Sequence, residues 1–228
     1  MYTVSEHPPT FQVAFLLTFL INERMFEMKS NNENGRSMIE MLGVLTIIGV
    51  LSIGGIRGYS KAMDKHRLNT LVNEYSHIYA GIQEHYEGLL NEGTLTDILP
   101  ALGVIPDSWE VVYANNNYRF VTSYGNITRI YSGAQSISFE TMLIQPGTSK
   151  KVQNAQQLCA KLINEFAYPL KEHVRSVSMW RNSNADEVYY GDKYCTEDVR
   201  CLKDMTIDEM MTFCDKPTGQ GSVLNIIF

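Results

Sequence analysis

Residues 35–56 read GRSMIEMLGVLTIIGVLSIGGI, and one carboxylate, Glu40, stands near the start of the apolar run inside them. From Ser37 to Ile56 there are twenty residues, enough to cross ~30 Å of hydrocarbon as a helix, and Glu40 is their only charge. An ionisable group in such a place is costly, and charged residues in membrane segments usually face a partner rather than lipid. The run therefore reads as a membrane anchor that is also an assembly device. The competing reading of Glu40 is an interfacial acid favoured by the positive end of the helix dipole.

Outward from this run, the chain of 228 residues carries 19 basic and 25 acidic side chains, a formal net charge of -6. No basic excess points to nucleic acid or to anionic lipid. Without a leader and an anchor, enough chain remains for one soluble core. All four cysteines, Cys159, Cys195, Cys201 and Cys214, lie in the C-terminal third. An even number confined to the part beyond the anchor implies two disulfides formed in an oxidising compartment. The alternative, a zinc site, usually shows paired Cys-x-x-Cys, whereas the spacings here are 35, 5 and 12 intervening residues. Three pairings of the four thiols are open.

Beyond the anchor, Tyr59, Met63, Leu68, Leu71, Val72, Tyr75, Ile78, Tyr79, Ile82, Tyr86 and Leu89 recur at helical spacing and form one stripe. One helix from about Met38 to Leu90 is expected, its first half in lipid or a filament core and its second half buried against a globular head. Within it, Gly54 and Gly58 make a small-xxx-small pair that permits close helix approach, although glycine is also simply common in membrane helices. A loop follows over Glu92 to Ser108, with a short helical turn near Thr96 to Leu102. Strands are expected over Glu110 to Ala114, Tyr118 to Tyr124, Ile127 to Ser132 and Ser136 to Leu143, as an antiparallel meander. Val152 to Ala167 has helical spacing, Val174 to Trp180 and Val223 to Phe228 read as strands, and Thr206 with Glu209 forms a capping box that opens a short helix.

Gly35, four further residues, Glu40 and then a long apolar helix together resemble the processing site of type IV prepilins and the related secretion pseudopilins. The resemblance covers roughly residues 28–60. It implies an α+β fold: a long N-terminal helix packed on an antiparallel β-sheet head, with a disulfide-closed C-terminal region, leaning toward the type IVb branch. It divides the chain into a leader over 1–35, a transmembrane and filament-core helix over 36–58, and a periplasmic or extracellular head over 59–228. Residues 1–27 read as an upstream extension, because a start at Met28 leaves the short polar leader MKSNNENG. Phe11 to Ile21 is apolar enough for part of a secretory signal but lacks a basic start. Arg57, Lys61, Lys65 and Arg67 follow the anchor, so the positive-inside rule alone does not choose this topology, and the resemblance does.

The resemblance further implies that a prepilin peptidase cuts after Gly35 and methylates the new terminus at Arg36, where the family usually has an apolar residue. The freed amine of Arg36 and Glu40 of a neighbouring subunit would then neutralise each other, since two uncompensated charges in hydrocarbon are costly. The expected partners are copies of the chain itself, the peptidase, the pilus assembly machinery and the inner membrane before assembly. The family habit of tying the C-terminal region to the head pairs Cys159 with Cys214, leaving Cys195 and Cys201 for a small second loop. A minor pilin or a secretion pseudopilin is the near alternative. A single-pass tethered enzyme or receptor domain is the distant one.

No cofactor or metal is expected. His66 and His77, eleven residues apart on one helix, are ~16 Å apart, too far to share an ion. No phosphate-binding glycine loop, G-x-S-x-G elbow or H-E-x-x-H is present, and no catalytic residue is assigned. Asn126-Ile127-Thr128 fits a glycosylation sequon, a triplet common by chance. Tyr189, Tyr190 and Tyr194 read as core or sheet packing in preference to an exposed patch.

Overall fold

The computed structural model describes residues 33–114, 117–122, 124–133, 135–144, 151–152, 154–181, 184–215 and 222–228. The expected extension over 1–27, and the leader as far as residue 32, lie outside the described residues. The chain divides into two compact units, Met1–Lys61 and Ala62–Phe228.

Helix α1, Glu33–Glu84, begins in the first unit. Leucine, isoleucine and methionine carry it, and two hydroxyls well inside the apolar run are satisfied within the helix: Thr46 donates to the Leu42 carbonyl at 2.8 Å and Ser52 to that of Ile48 at 2.7 Å. The helix starts before the expected Met38 and ends before the expected Leu90. At His85 an N–H bond to the Ile82 carbonyl three residues back tightens the last turn, and a separate short helix, α2 (Tyr86–Leu89), follows.

The second unit is an α+β layer structure. A seven-stranded sheet has the order β1-β2-β3-β4-β7-β5-β6, and every neighbouring pair is antiparallel. Its strands are β1 (Glu110–Ala114), β2 (Asn117–Val121), β3 (Ile127–Ser132), β4 (Ile137–Met142), β5 (Ser176–Arg181), β6 (Asn184–Tyr190) and β7 (Val223–Ile227). The first four form the expected meander. Strand β2 stops short of the expected Tyr124 because Thr122 turns the chain, its hydroxyl accepting from the Asn126 N–H at 3.1 Å while Gly125 takes φ 77°. Strand β6 was not expected: its polar, acidic start has poor strand propensity, and pairing with β5 overrides it.

One face of the sheet buries Phe120, Ile130, Phe139, Leu224, Ile226, Val177 and Met179. Over it lies the C-terminal stretch of α1, which buries Leu71, Val72, Tyr75, Ile78, Tyr79 and Ile82. Tyr75 is the hub, with ring centroids 5.6 Å from Trp109, 5.9 Å from Phe139 and 5.7 Å from Phe166. Short α3 (Ile98–Ala101) precedes β1, and the Val104 loop crosses α1 so closely that a Cβ on Gly81 would stand 2.4 Å from Val104 Cγ1. Helical α4 (Ala155–Lys161) begins later than the expected Val152 and continues as a π turn (Leu162–Ala167) and a 3-10 turn (Tyr168–Leu170). Pro169 sits in the first turn of the last, where its missing N–H costs nothing. Helix α5 (Ile207–Asp215) opens on the expected capping box: the Thr206 N–H donates to Glu209 Oε2 at 2.8 Å, and the Glu209 N–H to Thr206 Oγ1 at 3.2 Å.

Candidate functional site

Within the first unit, every described side chain from Met38 to Lys61 is exposed except at Gly43, which is half-exposed. One helix of the described residues is long and apolar enough to cross a membrane. Gly35 and Arg36 lie in the opening turns of α1. Glu40, Val44, Ile47, Leu51, Gly54 and Gly58 recur at steps of four and three, so at ~100° per residue they fall on one line down the helix. Val44, Ile47 and Leu51 on that line are 56%, 60% and 68% exposed. A Cβ built on Gly54 or Gly58 meets nothing within 4 Å, so no packing within the chain demands glycine at either position. The stripe thus presents one carboxylate, branched apolar side chains and a flat pair of glycines on a single face. Such a face is chemically suited to another helix, because the glycines admit a close backbone.

In the second unit, Cys159 of α4 is bonded to Cys214 of α5, and Cys195 to Cys201. Cys195, Cys201 and Asp204 bring potential metal-binding atoms within 4.8 Å of one another, but both sulfurs are consumed by the disulfide. His66 and His77 are both exposed on α1. In the sequon, Thr128 is buried and its hydroxyl is bonded to Tyr75, so that oxygen is committed to the core. The three tyrosines diverge. Tyr189 is buried with its ring 5.8 Å from Phe213, Tyr190 is half-buried, and Tyr194 is exposed beneath the Arg175 guanidinium at 5.5 Å.

The face of the sheet turned away from α1 carries a polar group that sequence reading missed. Arg129 pairs with Glu140 across β3 and β4, and the Tyr131 hydroxyl donates to Glu140 Oε1 at 3.1 Å. Burial first, then the Glu140 charge, pushes the Tyr131 hydroxyl up from its ordinary range. Alternation along β3 placed these side chains on one face, but only the register brought Arg129 opposite Glu140. They border an open cleft of about 280 Å³ with Thr94 and Tyr118. A second cleft, of about 250 Å³, has an apolar floor at Leu68, Leu71, Ile144 and Leu158 and a rim at Asp64, Arg67 and Tyr124.

No family model, curated protein or solved structure matches the chain.

The stripe that begins at Glu40 is the candidate surface, where a membrane-length apolar helix carries a single acid on the same line as its glycine pair. The two clefts of the sheet unit combine apolar, aromatic and ion-paired groups.

Proposed function

We propose that the chain is a structural subunit of a type IV pilus or pilus-like filament. In this reading α1 anchors the chain in the bacterial inner membrane with the sheet unit as a periplasmic head, until a prepilin peptidase cuts after Gly35. The cut frees the Arg36 amine, which neutralises Glu40 of the adjoining subunit as the anchor leaves lipid. Apolar burial of Val44, Ile47 and Leu51, with close approach at Gly54 and Gly58, supplies the remaining association energy. The assembled pilus is extracellular, the heads coat it, and no catalytic step is involved.

The observation that carries this reading is the coincidence of the only charge of the apolar run with the face that bears the glycine pair. Charged residues in membrane segments usually face a partner, and in this reading the partner is the freed amine of the adjoining subunit. N-terminal sequencing of the mature protein tests it. The expected chain begins at Arg36, and Glu40→Gln or Glu40→Leu leaves processing intact while abolishing sheared filaments. A mature chain that begins before Arg36, or filaments that survive the loss of the acid, would refute the proposal. Abundance in sheared filaments separates a major subunit from a minor pilin or pseudopilin.

A further inference from the structure

Strand β2 leaves β3 early. The two pair only at Phe120 opposite Thr128 and Val121 opposite Ile127. The next step of that register would set Arg119 opposite Arg129, and like charges directly opposite are unfavourable. Segment 93–95 takes that edge of β3 instead: the Ser132 N–H donates to the Gly93 carbonyl at 2.7 Å, the Leu95 N–H to the Ile130 carbonyl at 3.0 Å, and Thr94 bridges Tyr131. A wedge is left between this segment and Tyr118 of β2, and it is the cleft of about 280 Å³. Its lining decides what fits. Arg129 and Glu140 are the one cation and the one anion of that lining, and they are paired. An anion would have to approach the carboxylate and a cation the guanidinium, so charge selects against both. Both groups keep hydrogen-bonding capacity, because a guanidinium has several N–H donors and a carboxylate several acceptor sites. The Tyr131 hydroxyl donates its proton to Glu140 and is left as an acceptor, and Thr94 adds an exposed hydroxyl. Beside them the Tyr118 side chain, 40% exposed, gives one flat apolar wall.

We infer that this wedge is a binding site for a neutral pyranose ring of a glycan. Sugar hydroxyls, each both donor and acceptor, match the set formed by Arg129, Glu140, Tyr131 and Thr94. The C–H face of the ring matches Tyr118, because an aromatic face carries the negative end of its quadrupole. The cleft is near the small end of ligand sites, so it holds one ring rather than an extended peptide, of which four residues already span ~13 Å. Binding requires neither cleavage nor Glu40, and it stands apart from the filament reading.

Saturation-transfer NMR of the full chain, in a zwitterionic detergent without sugar headgroups, tests the site. The probes are the methyl glycosides of glucose, galactose, mannose and N-acetylglucosamine. N-acetylneuraminic acid, inorganic phosphate and end-blocked tetra-alanine represent the competing chemistries. At least one glycoside should bind near ~1 mM, as its atom count allows, and the two anions should not bind. Tyr118→Ala should weaken that glycoside about fivefold in a chain still folded by circular dichroism, while Tyr118→Phe, which keeps the ring, should bind as the native chain does. Tyr194→Ala, at an exposed tyrosine outside the cleft, should change nothing. Glu140→Gln leaves Arg129 without its counter-charge, so it should lose the glycoside and gain phosphate, an exchange that a merely structural role does not produce. No glycoside bound at ~10 mM, binding indifferent to Tyr118→Ala and Glu140→Gln, or tetra-alanine bound in place of the glycosides would overturn the inference without touching the filament proposal.

Discussion

Replacing Tyr75 with phenylalanine removes a single oxygen from the centre of the sheet unit. The side chain is fully buried, and its hydroxyl meets Thr128 Oγ1 and, at 2.7 Å, Thr141 Oγ1. A buried polar group that loses its partner costs ~1–3 kcal/mol, so two stranded threonines set an upper bound near twice that. The register lowers it, because Thr128 and Thr141 are directly opposite on β3 and β4 and can turn to bond each other once the phenol is gone. The expected loss is therefore ~1–2 kcal/mol, or ~2–8 °C in melting temperature for a unit of this size. Alkali supplies a second, independent reading. Burial outweighs the pull of the two threonine hydrogen bonds and pushes the Tyr75 hydroxyl up to about 12. Unfolded tyrosine ionises near ~10, so between pH 10 and 12 the unfolded chain sheds a proton that the native chain retains. Stability that is complete below pH 10 is then lost as pH rises, by up to ~3 kcal/mol for this group. Tyr75→Phe lacks that titration. Near-UV circular dichroism melts of the full chain in mild detergent should show the variant less stable at pH 8 and the gap closing or reversing by pH 12. A gap that stays constant across that range, or no gap at pH 8, would refute the account.

Opening the Cys159–Cys214 bond with paired alanines should cost ~4 kcal/mol on the chain-entropy model, against ~2 kcal/mol for Cys195–Cys201, because the closed loops span 55 and 6 residues; urea titration of the two double variants ranks them. Gly191→Ala should destabilise by ~3 kcal/mol or fail to fold, since its Cβ would sit 1.8 Å from the Val174 carbonyl oxygen and 2.5 Å from that of Lys171, both backbone atoms; Gly88→Ala, which meets nothing, is the control in the same melts. Thr206→Ala should cost ~1 kcal/mol by removing the α5 cap. The same change should raise the titration of the Glu209 carboxyl, which the Thr206 N–H and hydroxyl hold below its ordinary range, as read by NMR.

The local elements of this fold were largely legible because they depend on neighbours in sequence. Strands over Glu110–Ala114 and Ile127–Ser132 lie where alternation and flanking turn residues put them, and Thr206 with Glu209 marks the start of α5. Errors arose where a distant partner or an unforeseen local backbone bond decided. Asn184–Tyr190 is a strand because β5 pairs with it, not because of its own composition. The long helix breaks at His85, where a three-residue backbone bond tightens the last turn, although the apolar spacing continues to Leu89. At the candidate site, the lone Glu40 and the Gly54 and Gly58 pair were visible as residues, and helix periodicity sufficed to align them on one face.

From residue order alone came the membrane-length helix with a single acid, the stripe that buries Leu71 to Ile82 and the presence of an antiparallel sheet, since each follows from a periodicity of two or 3.6. Tertiary structure decided which strands are neighbours. It set β7 between β4 and β5, brought Arg129 opposite Glu140, chose one of three cysteine pairings, and covered the β6 edge with the segment that holds Cys201. The physical reason is that hydrophobic patterning specifies which face of an element is buried, whereas order and register depend on contacts between residues far apart in the chain.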